Sequence, residues 1–362
     1  MRKGFGAFLA ILAAGAMLAG CSGSGTAQTT AAAGSAAAGS EAESSAQAGS
    51  EAAAGADSGS AEIVLKAGEV NPADHIMGRV LTHFSELVSE KSNGRIKVEV
   101  YAGGQLGDER TEMQAIQMGA LDIFRANTLT AGDFGANKMN LFALPYLFRD
   151  RDHLWKVLKS DVGTELLSDI QDSGTGMVAI SYTDEGSRNF FTKKPVEKPE
   201  DLKGMKIRVS ETSILMDTMK CFGANPTPIS YSELYTSLQT GVVDGADQPL
   251  AGYASNSFDE VAGNMTLDGH TYSPGLIVVS ELTWNKLSPE DQAILKEAAS
   301  ETEDYNKEIA QEDDDKILEQ LKADGANIIE VPDKTPWQEM VQPVYEQYAK
   351  DYMDIVEEIQ GM

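Results

Sequence analysis

From Glu62 onward, apolar residues recur in two alternating rhythms. Ile63-Val64-Leu65 is a short apolar run of strand type. Between His75 and Glu90 the positions Val80, Phe84, Leu87 and Val88 keep helical spacing, and Asn93-Gly94 closes the helix. Arg95 to Tyr101 sets Ile96, Val98 and Val100 against charge, which reads as a strand. Glu109 to Met118 is helical, Leu121 to Phe124 strand-like, and Ala143 to Phe148 an apolar turn around Pro145. Two helices follow, near 150–158 and 161–172, and then a strand over Met177 to Tyr182.

The same rhythm continues. A strand over Met205 to Val209 leads into a helix over Ile214 to Phe222, stopped by Gly223. Ser230 and Glu233 have capping-box spacing ahead of a helix carrying Leu234 and Leu238, which Gly241 stops, and Val242 to Ala246 is a short strand. Strands alternating with helices imply an α/β fold with open sheets covered by helices on both faces. One element is out of scale. Ser288-Pro289-Glu290-Asp291 is a strong helix start, and neither Gly nor Pro recurs until Gly325. A helix from Pro289 to Lys322 would span about 50 Å, long enough to brace two lobes. Its charged middle, Glu301 to Lys316, is expected to run over the surface. Trp337, Val341, Val344, Tyr345, Tyr348 and Tyr352 outline a last amphipathic helix, bent or broken near Pro343.

Ahead of this lies a different texture. Arg2 and Lys3 precede an uncharged apolar stretch from Phe5 to Leu18, too short to span a bilayer comfortably, and Leu18-Ala19-Gly20-Cys21 resembles a bacterial lipobox. The expectation is a signal peptide over 1–20, export, and lipid attachment at Cys21, with no spanning helix. Ser22 to Ala61 holds nothing apolar larger than Ala, so 21–61 reads as a flexible tether spanning on the order of 35 Å.

The 362 residues carry 29 Lys and Arg against 56 Asp and Glu, a formal charge of −27. A chain this acidic repels nucleic acid. Four histidines without a repeated spacing argue against a zinc framework, and no cofactor is expected. No metalloprotease, Walker, Cys-x-x-Cys or nucleophile-elbow pattern occurs. Cys221, in an apolar helical run, reads as a buried inert thiol. The informative signal is a pair of arginines. Arg208 lies one residue from the carboxyl end of the 205–209 strand, with a helix starting at Thr212 or Ser213, where open α/β sheets bind ligands. Arg188 sits in a loop with Asp184, Glu185 and Gly186, just before Phe190-Phe191. In so acidic a chain, two converging guanidinium groups would trap a carboxylate.

Segments in fixed order carry a resemblance. They are Glu69-Val-Asn-Pro-Ala-Asp-His75, Gly94-Arg-Ile-Lys-Val-Glu-Val-Tyr101 with Gly104-Gln-Leu-Gly107, and Ala143-Leu-Pro-Tyr-Leu-Phe-Arg-Asp150. Gly186-Ser-Arg188, Lys194-Pro-Val196, Glu200 to Val209, Gly223 to Pro228 and Glu233 to Gly245 complete the set. Residues 62 to about 330 resemble the solute-binding proteins of TRAP (tripartite ATP-independent periplasmic) transporters. The resemblance implies a two-lobed periplasmic-binding-protein fold with a ligand cleft and a long helix contacting both lobes. Lobe I would be 62–185 and 274–313, lobe II 186–273 and 314–362. It implies capture of a small organic acid for a membrane permease, with no enzyme activity. The family's carboxylate-binding arginine falls on Arg208 and a second on Arg188. The amide after Asp244-Gly245, commonly Asn, is Gln248 here, and the stacking aromatic is Tyr231. Glu69, Arg125 and Glu211 resemble sugar-acid binders, because acidic groups accept hydrogen bonds from sugar hydroxyls. His75, Asn71 and Asn127 lie beside these loops and join the expected set. A receptor for a dicarboxylate or keto acid, a lyase using Glu211, and a sensor-delivery protein are the competing readings.

Overall fold

The structure is a computed structural model and describes residues 61–362; the expected signal peptide, Cys21 and nearly all of the tether lie outside them. Among the described residues, eleven strands form two sheets. The first is built from β1 (Ile63–Gly68), β2 (Ile96–Tyr101), β3 (Ile123–Asn127), β4 (Met177–Thr183) and β10 (Gly275–Ser280), in the order β2-β1-β3-β10-β4. The second contains β5 (Ser187–Thr192), β6 (Lys206–Val209), β7 (Asn225–Pro228), β8 (Gly245–Gln248), β9 (Asn264–Tyr272) and β11 (Asn327–Glu330), in the order β11-β9-β5-β8-β6-β7. Each sheet has a parallel core joined by helical crossovers, β2-β1-β3 in one and β8-β6-β7 in the other.

The α/β class and the longer helices are as the apolar rhythm predicts, the short helices Thr128–Asp133, Leu250–Ser255 and Glu281–Trp284 are additional to it, and the sheets are mixed rather than purely alternating. β10 runs antiparallel between β3 and β4, and β5 runs antiparallel to both β8 and β9. Three expectations shift accordingly. Arg188 is inside strand β5 rather than in a loop, and Arg125 is inside β3 rather than beyond it. The strand expected at Val242 to Ala246 starts at Gly245. Ser230 does not cap through its hydroxyl. Its Oγ bonds Glu233 Oε2 at 2.9 Å, and a short 3₁₀ turn over Tyr231–Glu233 precedes the helix Leu234–Thr240.

The long helix is Pro289–Ala323, capped by the Ser288 hydroxyl accepting from the Asp291 N–H. Leu295, Ala298 and Ala299 share a core cluster with Ile277 of the first sheet and with Leu81 and Phe84 of the helix Ile76–Lys91 that covers it, while Ile317, Leu318 and Leu321 share one with Phe191 and Met265 of the second sheet and with Leu238 of the helix Leu234–Thr240. Burying such a side chain contributes about 1.5–3 kcal/mol, so the one helix is fastened to both sheets. Its middle does not simply cross the surface. Thr302, Asn306 and Ala310, four apart, form a buried stripe. Asn306 accepts from the Asp184 N–H at 2.6 Å and donates to the Asp184 carbonyl at 3.0 Å, pinning the link between β4 and β5 where the chain passes from one sheet to the other. The C-terminal segment breaks into Thr335–Met340, Gln342–Tyr348 and Met353–Gly361, with the first break just before Pro343. Cys221 ends the helix Ser213–Cys221 half-buried rather than buried, and partial burial raises its thiol pKa.

Candidate functional site

The parallel strands β1, β3 and β6 end around one cleft, which contains about 770 Å³ of empty space, its open mouth included. Of the ten ligand-site residues expected from sequence, eight line it: Asn71, Arg125, Asn127, Arg188, Arg208, Glu211, Tyr231 and Gln248. Glu69 and His75 lie directly behind the wall. Asp108, Glu109, Arg110, Glu185, Ser210 and Ser230 also line the cleft and were not anticipated as site residues.

Arg208 projects from β6 and is 2% exposed. Its Nε donates to the Ile229 carbonyl at 2.8 Å, and its guanidinium carbon stands 5.7 Å from the centre of the Tyr231 ring. Its Nη1 is buried with no partner, and Arg208 forms no ion pair among the described residues. Burial, with Arg188 nearby, lowers its pKa to about 10, so it remains charged at neutral pH. A buried guanidinium without a counter-ion is costly, and an anion in the cleft would remove that cost.

Arg188 is differently placed. Its Nε meets Asp247 Oδ2 at 2.5 Å and its Nη2 donates to the Asp247 carbonyl at 2.7 Å. His270 continues the chain, with Nε2 3.3 Å from Asp247 Oδ2 and Nδ1 2.8 Å from Asp268 Oδ2. Burial opposes charge on His270, but Asp268 and Asp247 outweigh it and raise its pKa to about 9. Burial also opposes the Asp247 charge, yet Arg188 and His270 hold its pKa well below the usual range. Arg188, Asp247, His270 and Asp268 are thus a buried alternation of charges whose sum is close to zero. Arg188 is fixed in place by it, and contributes directed N–H groups more than net charge. Sequence reasoning missed this chain because Asp247, Asp268 and His270 sit in strands that only the second sheet brings together.

The opposite wall is acidic. Glu69 receives Arg125 Nε at 2.6 Å on one oxygen and Arg125 Nη2 at 2.9 Å on the other, and it also accepts from the backbone and side-chain N–H groups of Asn71 at 2.7 and 2.8 Å. Its acceptor capacity is largely consumed, so it holds Arg125 and Asn71 for the cleft. Asn127 Oδ1 likewise caps the next helix at Leu129 N, 3.0 Å away, and Glu109 accepts from the Asn127 N–H at 3.0 Å. Burial raises the Glu109 pKa. His75 caps the helix Ile76–Lys91 through Nδ1, and burial lowers its pKa. Gln248 closes β8 and lines the cleft. Glu211 stands at the rim, exposed, 3.3 Å from Arg110 Nε across the mouth. No group of acidic, His or Cys side chains among the described residues is arranged to hold a metal ion.

Residues 67–351 match the family described as bacterial extracellular solute-binding protein, family 7. The chain is 30% identical over 291 residues to the C4-dicarboxylate-binding periplasmic protein of Rhodobacter capsulatus, covering 80% of this chain and 87% of that one. A TRAP periplasmic solute-binding protein from Pseudomonas putida F1, solved with bound D-glucuronate, has a TM-score of 0.81 at 34% identity, over 83% of this chain and 97% of that one. Another from Sulfurospirillum deleyianum, solved with bound succinate, has a TM-score of 0.77 at 33% identity, over 83% of this chain and 99% of that one. The two sheets, the shared cleft and the bracing helix are those the resemblance implied. The chain therefore belongs to bacterial extracellular solute-binding protein family 7, a family of transport receptors rather than enzymes.

Proposed function

We propose that this protein captures a hydroxylated monocarboxylate, a sugar acid of the uronate or aldonate type, outside the cytoplasmic membrane and delivers it unchanged to a TRAP permease. The observation that carries this reading is Arg208, a buried guanidinium without a counter-ion at the end of β6. The ligand carboxylate docks on Arg208, Arg188 adds a directed N–H, and Tyr231 covers the carbon skeleton. Gln248, Asn71, Asn127 and Arg125 supply polar contacts from the two walls, with Glu69 and His75 supporting them from behind. Glu211 contributes at the rim, through Arg110. Contacts from both walls favour a closed form, since only differential affinity shifts a conformational equilibrium. Attachment through Cys21 would hold the receptor near its permease.

A structural relative carrying D-glucuronate favours the sugar-acid reading, and one carrying succinate favours the dicarboxylate alternative. The acidic wall supports the sugar-acid reading, because carboxylates accept hydrogen bonds from hydroxyls and repel a second carboxylate. A thermal-shift panel of D-glucuronate, D-galacturonate, an aldonate and succinate tests this. Stabilisation by the hydroxylated acids at concentrations where succinate has no effect is expected. Stabilisation by succinate alone overturns the reading. Incorporation of labelled fatty acid into the wild-type chain, and its loss in Cys21→Ser, tests the anchor.

A further inference from the structure

Glu185 occupies the three-residue link between β4 and β5, where no strand or helix holds it, yet it is only 8% exposed and lines the cleft. Its position is set by its neighbours. Asp184 is held by Arg151 Nε at 2.7 Å, by Trp155 Nε1 at 3.1 Å and by both polar groups of Asn306, and Asp184 Oδ1 in turn accepts from the Gly186 N–H at 2.8 Å. Gly186 has φ +100°, a conformation that a side chain would strain. The backbone on either side is therefore fixed, and the Glu185 carboxylate is presented to the cleft rather than left to find its own place.

No donor among the described residues meets Glu185 with hydrogen-bond geometry. His75 Nε2 is 3.4 Å from Oε1 but misaligned, and Arg125 Nη1 is 3.7 Å from Oε2. Arg125 is already committed to Glu69 through two shorter bonds. His75 gives its Nδ1 lone pair to the Met77 N–H, and burial keeps it neutral, so it brings no cation. A nearly buried carboxylate with about four lone-pair sites and no donor in place is an acceptor waiting for one.

We infer that Glu185 accepts hydrogen bonds from neighbouring hydroxyls of the bound acid and thereby selects polyhydroxy monocarboxylates against dicarboxylates. The inference rests on the proposed sugar-acid function and names a specificity-determining residue for it. A diol can satisfy both oxygens of one carboxylate. The second carboxylate of a dicarboxylic acid would instead face Glu185 with Glu109 close by, while the nearest cation, Arg125, is already balanced by Glu69. The selection combines an attractive element for one class with a repulsive element against the other.

The test is calorimetric titration of the full chain with D-glucuronate, succinate and L-glutamate, in wild type, Glu185→Gln and Glu185→Asp. Glu185→Gln removes the repulsion and part of the acceptance. It is expected to weaken D-glucuronate at least tenfold and to leave succinate unchanged or tighter. Glu185→Asp keeps the charge but withdraws the oxygens, and is expected to weaken D-glucuronate without admitting succinate. Unchanged D-glucuronate binding in both variants overturns the inference, as does equal weakening of both acids in Glu185→Gln. Wild-type L-glutamate binding tighter than D-glucuronate overturns the hydroxyl assignment in favour of an ammonium group. Wild type that binds succinate and no D-glucuronate overturns the proposed function itself, which keeps the two failures apart.

Discussion

Arg125 and Arg208 are the same residue in comparable places. Each lies near the carboxyl end of a strand in the parallel part of its sheet, each faces the cleft, and each is almost fully buried, at 3% and 2% exposed. Their surroundings are opposite. Glu69 grips Arg125 with both oxygens and Glu185 stands further off, so despite burial its pKa is pushed above the ordinary arginine value. Arg208 has a carbonyl and an aromatic face, and burial brings it down to about 10. The difference separates frame from receptor. A guanidinium already paired inside the protein holds the wall together, and one left without a counter-ion is reserved for the anion that arrives.

The largest effect expected from this contrast is on stability. Arg125→Ala leaves Glu69 buried and uncompensated, and should destabilise the folded protein by about 3–5 kcal/mol, read by chemical denaturation. Arg208→Ala should do the reverse in the free protein, leaving stability unchanged or slightly higher because an unpaired buried charge is removed. The same variant should lose about 2–5 kcal/mol of sugar-acid binding by calorimetry. A ligand-free Arg208→Ala protein as damaged as Arg125→Ala would erase the distinction between the two arginines.

Smaller effects sharpen it. Burial, reinforced by Glu69, raises the pKa of Glu112 to about 8, and both its oxygens lack partners. His270 stands at about 9. Both folded values lie above the unfolded ones, so the stabilising contribution of each proton is complete below the unfolded pKa and lost as pH rises through the folded pKa. That places the loss between about 4.5 and 8 for Glu112 and between about 6.5 and 9 for His270. The melting temperature should fall from pH 6.5 to 9, and Glu112→Gln should flatten the part of that decline below pH 8. The smallest effect is expected at the rim. Arg110 and Glu211 are an exposed pair, so Glu211→Ala should cost less than about 1 kcal/mol in stability, and the difference should shrink further with added salt.

Much of this architecture was legible in the sequence, and the gaps have physical causes. The long helix could be read from Ser288-Pro289 and the absence of a breaker, because caps and breakers are local. Arg208 could be read because strand, arginine and helix start follow one another within a few residues. β5 and β9 escaped notice because Arg188, Asn189, Asp268 and His270 interrupt their apolar pattern. Those polar residues are buried and satisfied, Arg188 by Asp247, Asn189 by backbone groups of Ser187 and Gly269, and Asp268 and His270 by each other, and sequence patterning treats them as exposed. Glu185 was hidden for a related reason. An acid beside a glycine in a link resembles a solvated loop, but Asn306 of the long helix pins the adjoining Asp184, and His75 and Arg125 lie against the Glu185 carboxylate. That middle was itself misread, because Thr302 and Asn306 are polar residues on its buried stripe. Glu69 and Glu211, alike in sequence as acids near a strand end, differ in the structure as a buried support and an exposed rim group.

The most direct test of the account is a crystal structure of the protein grown with D-glucuronate. The account predicts the sugar carboxylate within hydrogen-bond distance of the Arg208 guanidinium, with Arg125 still held by Glu69. A sugar acid bound with its carboxylate on Arg125 or outside the cleft, and Arg208 making no contact with it, would contradict it.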